Sequence, residues 1–64
     1  MANIVEIKLE RYNWWGNAIY RTKLDTPIVQ LEDGFYSIAD PNDIDSEPCS
    51  KLKSDCLKIV QEFN

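Results

Sequence analysis

Histidine is missing from this 64-residue chain. That excludes imidazole acid–base chemistry and the commonest transition-metal ligand. Cysteine is limited to Cys49 and Cys56, so a structural zinc site lacks donors. Basic residues are in short supply: 7 Lys and Arg against 11 Asp and Glu leave a net charge of −4. Nonspecific nucleic-acid binding needs clustered cations to displace counterions, so nucleic acid is an unlikely partner. No apolar run approaches the roughly 20 residues of a membrane span. Met1 to Glu10 alternates polar with apolar residues and lacks a signal-peptide core, so a cytoplasmic location is expected.

What is present fits one small domain, residues 1–64. Hydrophobic residues make up 44% and charged residues 28%, ordinary values for a folded globular chain. A domain this short buries only about 60% of its unfolded surface and cannot easily enclose a deep pocket.

Val5, Ile7 and Leu9 alternate with Glu6, Lys8 and Glu10, the period of a half-buried strand. This predicts a first strand over about residues 3–13 and a second over about 18–25, joined by a two-residue Gly16-Asn17 turn. Trp15 then pairs with Ala18 and Leu9 with Leu24. One face continues Val5, Ile7 and Leu9; the other carries Tyr12, Trp14, Ile19 and Arg21. Thr26-Pro27 interrupts the run, because proline donates no ladder hydrogen bond. Asp33-Gly34 joins strands over 28–32 and 35–39, with Leu31 opposite Tyr36 and Val29 opposite Ile38.

Residues 40–48 form a loop by composition. From about 47 to 63, Cys49, Leu52, Cys56, Ile59, Val60 and Phe63 fall on a helical stripe about 100° wide. The expected fold is therefore α+β: a four-stranded antiparallel meander with one C-terminal helix packed on the Val5–Ile7–Leu9 face (ββββα). On such a helix the cysteine Cα atoms lie about 10.5 Å apart, beyond the about 7 Å a disulfide tolerates. Both thiols are expected reduced and mostly buried.

Few residues suggest chemistry. Asp40, Asn42, Asp43, Asp45 and Glu47 are calcium-type ligands. Counted as an EF-hand from Asp40, however, the sequence puts Ile44, Asp45 and Lys51 at positions five, six and twelve, where the pattern fails. Ser50-Lys51-Leu52-Lys53 matches Ser-x-x-Lys without the partners that motif needs. Cys49 has no histidine to serve as its base. No catalytic residue, metal ligand or cofactor is expected, and the chain is not read as an enzyme.

The aromatic group stands out. Tyr12, Trp14 and Trp15 cluster on the first hairpin, and an uncovered sheet face would join them with Ile19, Arg21 and Phe35. Trp, Tyr and Arg are enriched at binding hot spots. With the acidic residues Asp43 and Asp45, these make the candidate binding set. In size, acidity and lack of catalytic residues the chain is similar in character to the small stand-alone interaction proteins with which phages and mobile elements block host enzymes. No motif carries that likeness. The expected function is a protein-interaction module, an inhibitor or adaptor, that binds another protein or itself as a homodimer. The alternative is a small-ligand or nucleotide binder, in which Trp14, Trp15 or Tyr12 stacks on a base and Arg21 meets a phosphate.

Overall fold

In the computed structural model, which describes residues 4–63, all the extended segments join a single six-stranded sheet. The strands are β1 (Val5–Tyr12), β2 (Ala18–Thr22), β3 (Pro27–Leu31), β4 (Gly34–Ile38), β5 (Pro48–Lys51) and β6 (Leu57–Val60). Their order is β5-β4-β3-β2-β1-β6. Neighbours are antiparallel from β1 through β5, and β6 runs parallel to β1. The expected start of the first strand at Asn3 lies outside the described residues.

The C-terminal helix does not form, and the α+β expectation is corrected to an all-β sheet. Residues 47–63 divide into β5, a single 3-10 turn (Ser54–Cys56) and β6. The stretch from Cys49 to Cys56 is dominated by Ser, Cys, Asp and Lys, and most of these are weak helix formers. Ile59 and Val60 are β-branched and suit a strand. The outer edge of β1 also offers a row of unpaired backbone groups, which β6 satisfies by pairing Val5 with Leu57 through Lys8 with Val60. Tertiary hydrogen bonding overrides a helical period that rests on six residues.

Residues 52–56 must carry the chain between opposite edges of the sheet. Laid flat, six strands would put the outer pair about 24 Å apart at about 4.8 Å per spacing. A link from Lys51 to Leu57 that contains a 3-10 turn reaches only about 16–20 Å. The sheet therefore curls, in keeping with overall dimensions of 32 × 21 × 19 Å. The Leu52 amide donates to the Phe35 carbonyl at 2.8 Å, which fixes where the crossing begins.

Each side of the sheet has its own core. Ile19, Val29 and Ile38 pack with Ile44, flanked by Leu31 and Tyr36. On the other side Ile7, Tyr20 and Ile28 pack with Ala18, Phe35, Leu52 and Leu57. The Tyr20 and Phe35 rings meet edge to face at 5.7 Å, and the Tyr20 hydroxyl donates to Gln30 Oε1 at 3.0 Å. One side is thus covered by the loop that carries Ile44, the other by the crossing that carries Leu52. Neither is covered by a helix.

The hairpin registers also differ from expectation. In the first hairpin Tyr12 pairs with Ala18 and Leu9 with Tyr20, with a bulge between Leu9 and Arg11. Residues 13–17 form the connection, so Gly16-Asn17 is not a two-residue turn. Gly16 does adopt the positive φ expected of it, 81°. In the second hairpin Leu31 pairs with Gly34 and Val29 with Tyr36, a shift of two residues that preserves the faces. Gly34 opens β4 at φ 144°, and a Cβ there would meet Lys51 Cε at 3.2 Å.

Both thiols are free, but Cys49 is exposed on the edge strand β5 and Cys56 is half-buried in the 3-10 turn. The expectation that they lie buried on a helical stripe is therefore also corrected.

Candidate functional site

The β1–β2 connection is built around Asn13. Its amide donates to the Asn17 carbonyl at 2.9 Å, and its carbonyl accepts from Gly16 at 3.0 Å. Its side-chain Oδ1 accepts from the amides of Trp15 at 3.1 Å and Asn17 at 2.8 Å. The remaining amide, that of Trp14, donates to Asp45 Oδ1 at 2.8 Å. Every backbone N–H from Asn13 to Asn17 thus has an acceptor.

The two indoles carried by this closed turn are exposed. Trp14 is 80% exposed, Trp15 56% and the adjoining Tyr12 62%. The two indoles contact each other edge to face, with ring centroids 5.6 Å apart.

Asp45 reaches the turn because the loop after β4 is itself tied down. The Ala39 amide donates to the Glu47 carbonyl at 2.9 Å and closes the loop's base. Within it, Asp40 Oδ1 accepts from the Asn42 amide at 2.9 Å and Asp43 Oδ1 from the Asp45 amide at 3.0 Å, the side-chain-to-backbone bonding by which Asp builds turns. Ser46 Oγ accepts from the Asp40 amide at 3.0 Å. Ile44, buried to 8% exposure, anchors the loop on Ile19, Val29 and Ile38.

The sheet-face arrangement expected from the sequence is not the one found. Ile19 is fully buried in one core. Phe35 packs in the other, against Tyr20. The bulge near Glu10 puts Tyr12 opposite Ala18, on Phe35's side of the sheet and away from Ile19. Arg21 is paired with Glu10 through its Nε and donates from a terminal nitrogen to the Asp25 carbonyl at 2.8 Å. Of the candidate residues, Tyr12, Trp14, Trp15, Asp43 and Asp45 remain, joined through the turn and the loop.

Asn13 and Ile44 were missed at the sequence level, although each left a signal. Asn13 opens a Gly-containing turn, where an Asn side chain commonly bonds the amide two residues on. Apart from Pro41, Ile44 is the only apolar residue from Asp40 to Glu47.

No charged side chain among the described residues is buried, and none of these residues gather into a group of three or more acidic or thiol ligands that could hold a metal ion. The resolved pKa shifts lie elsewhere, at the β3–β4 turn. There the Tyr36 hydroxyl donates to Asp33 Oδ2 at 2.9 Å, with Lys51 Nζ at 3.7 Å from the same oxygen. That hydrogen bond holds the Asp33 carboxyl below its usual range and raises the Tyr36 hydroxyl above its own.

No helix among the described residues is long and apolar enough to cross a membrane. Comparison with models of protein families, with curated proteins and with solved structures finds no match to this chain.

Proposed function

We propose that the chain is a non-enzymatic protein-interaction module, an inhibitor or adaptor, that presents Trp14 and Trp15 to another protein beside the acidic loop Asp40–Glu47. The observation that carries this reading is the contrast between the turn's backbone and its side chains. All its amides are bonded, yet Trp14 is 80% and Trp15 56% exposed. A domain of this size normally recruits large apolar side chains into its core. Holding two indoles outward on a fixed turn lowers the ordering cost of binding, and tryptophan is the residue most enriched at hot spots.

The partner is read as a protein surface with an apolar pocket flanked by Lys or Arg. Asp40, Asp43 and Asp45 supply complementary charge, and a guanidinium is attracted to an indole face. The same carboxylates disfavour a second copy at this surface, since like charges would meet. The nucleotide-binding alternative loses support because Arg21, its phosphate ligand, is committed to Glu10 and the Asp25 carbonyl.

Pull-down from host lysate with quantitative mass spectrometry tests the reading, using wild type, Trp14→Ala and Trp15→Ala as baits of matched melting temperature. A protein retained by wild type and lost by both variants is expected, with tryptophan emission shifting to the blue on binding. Identical profiles for all baits would remove the tryptophan turn as the binding surface.

A further inference from the structure

We propose that β6 is a homodimerisation edge, and that two copies of this chain join their sheets by antiparallel pairing of Lys58–Glu62 about a two-fold axis at Val60. The surface is separate from the tryptophan turn, and the inference does not depend on the function proposed for that turn.

The sheet is open, with β5 and β6 as its two edges. The edges differ. β5 begins with Pro48, which has no N–H to offer; proline is a device that blunts an edge against pairing. β6 reads Leu57-Lys58-Ile59-Val60 and contains no proline. One side of β6 is paired with β1, and no strand among the described residues pairs with the other.

Strand direction decides how copies can meet. β5 and β6 run the same way, because β1 is parallel to β6 and alternates in direction through to β5. Joining β5 of one copy to β6 of the next in a continuous sheet would therefore be a parallel, head-to-tail contact, which cannot close as a two-fold dimer. Pro48 opposes it. Joining β6 to β6 is antiparallel and self-complementary, and it closes as a dimer.

The charges along this segment favour self-pairing. A cation, Lys58, lies two residues before Val60, and an anion, Glu62, lies two after it. Antiparallel pairing centred on Val60 puts Lys58 of each copy opposite Glu62 of the other, an opposite-charge cross-strand pair at both ends. In the single chain β6 stops at Val60; pairing extends it through Gln61 and Glu62. The join also places Gln61 of the other copy beside Ile59, which is 54% exposed in the single chain.

Sedimentation equilibrium of the full chain, with hydrogen exchange of the β6 amides over a range of concentrations, tests the proposal. A monomer–dimer equilibrium is expected, with β6 amides more protected at high concentration. Lys58→Glu and Glu62→Lys should each weaken the dimer at least tenfold, because each sets like charges opposite one another. The double variant Lys58→Glu/Glu62→Lys should restore it. Both positions are exposed in the monomer, so melting of the dilute protein should hardly change. Three outcomes would overturn the proposal: a monomer at all concentrations, a dimer indifferent to both single changes, or single-variant losses that the double variant does not restore.

Discussion

The amide of Trp14 donates to the carboxylate of Asp45 across 31 positions of sequence, at 2.8 Å. This bond joins the most exposed tryptophan to the acidic loop and fixes their relative placement. The turn is exposed, so water can replace the carboxylate, and Asp45→Ala should cost only about 0.5–1.5 kcal/mol of stability. Partner affinity should fall further, because the loop's charge and the indole's position are lost together. Asp45→Asn, which keeps an acceptor oxygen, should retain most of the stability. Equal losses of binding and of melting temperature in Asp45→Ala would mean the bond serves the fold alone.

The Asp33–Tyr36 pair predicts a pH dependence with two arms. Asp33 titrates in the folded chain below its ordinary value of 3.8, so its contribution is present above that pH and is lost as pH falls through the lowered value. Tyr36 titrates above 10.0, so its contribution is intact below pH 10.0 and is lost as pH rises through the raised value. Asp33 is exposed and the half-buried Tyr36 holds its hydroxyl at the surface, so the effect is small. Urea midpoints of wild type and Tyr36→Phe should differ at neutral pH and converge at both extremes. A constant difference across the range would show that the hydroxyl does not couple to Asp33.

The β2–β3 connection holds a non-glycine residue in the left-handed region, Asp25 at φ 71°. Its amide donates to the Thr22 carbonyl at 2.9 Å, and Thr22 donates to the Thr26 carbonyl at 3.0 Å, the pattern of a three-residue hairpin loop that ends in a left-handed residue. Asp tolerates that conformation and a β-branched side chain does not. Asp25→Val should cost about 1–2 kcal/mol, and Asp25→Gly should cost less despite losing the carboxylate near Arg21. Thermal melting of the two variants decides it.

Strand positions were legible in the sequence wherever the alternation was local. Val5–Ile7–Leu9, Pro27 as a boundary and a second hairpin all emerged, but its two-residue turn is Glu32-Asp33 and not Asp33-Gly34; the two-residue register shift left the faces of β3 and β4 intact. What failed depended on information that one segment does not hold. The bulge at Glu10 reverses the side on which Tyr12 falls, and no residue type announces it. The apolar spacing from Cys49 to Phe63 fits a helix as well as two short strands. The free edge of β1, distant in sequence, chose the strands. Trp14, Trp15 and the acidic loop lie together at the surface for reasons of local turn chemistry, whereas Ile19 and Phe35 were assigned to a shared face that the bulge and the second core removed.

Ile44 and Ile59 reverse the roles that the sequence suggests for them. A helical stripe makes Ile59 a core residue and a polar loop makes Ile44 incidental, yet Ile44 is 8% exposed and Ile59 54%. Truncating a buried isoleucine costs its transfer energy and leaves a cavity, so Ile44→Ala should destabilise by about 2–4 kcal/mol. A half-exposed isoleucine on a sheet edge has less to lose, and Ile59→Ala in the dilute monomer should cost under about 1 kcal/mol. Ile44 also anchors the loop that carries Asp45, so its truncation should free the Trp14 amide as well. Hydrogen exchange at Trp14 should then quicken in Ile44→Ala and stay unchanged in Ile59→Ala, under conditions where both remain folded. Greater destabilisation by Ile59→Ala, or a Trp14 amide indifferent to Ile44, would mean that the loop does not hold the turn in place.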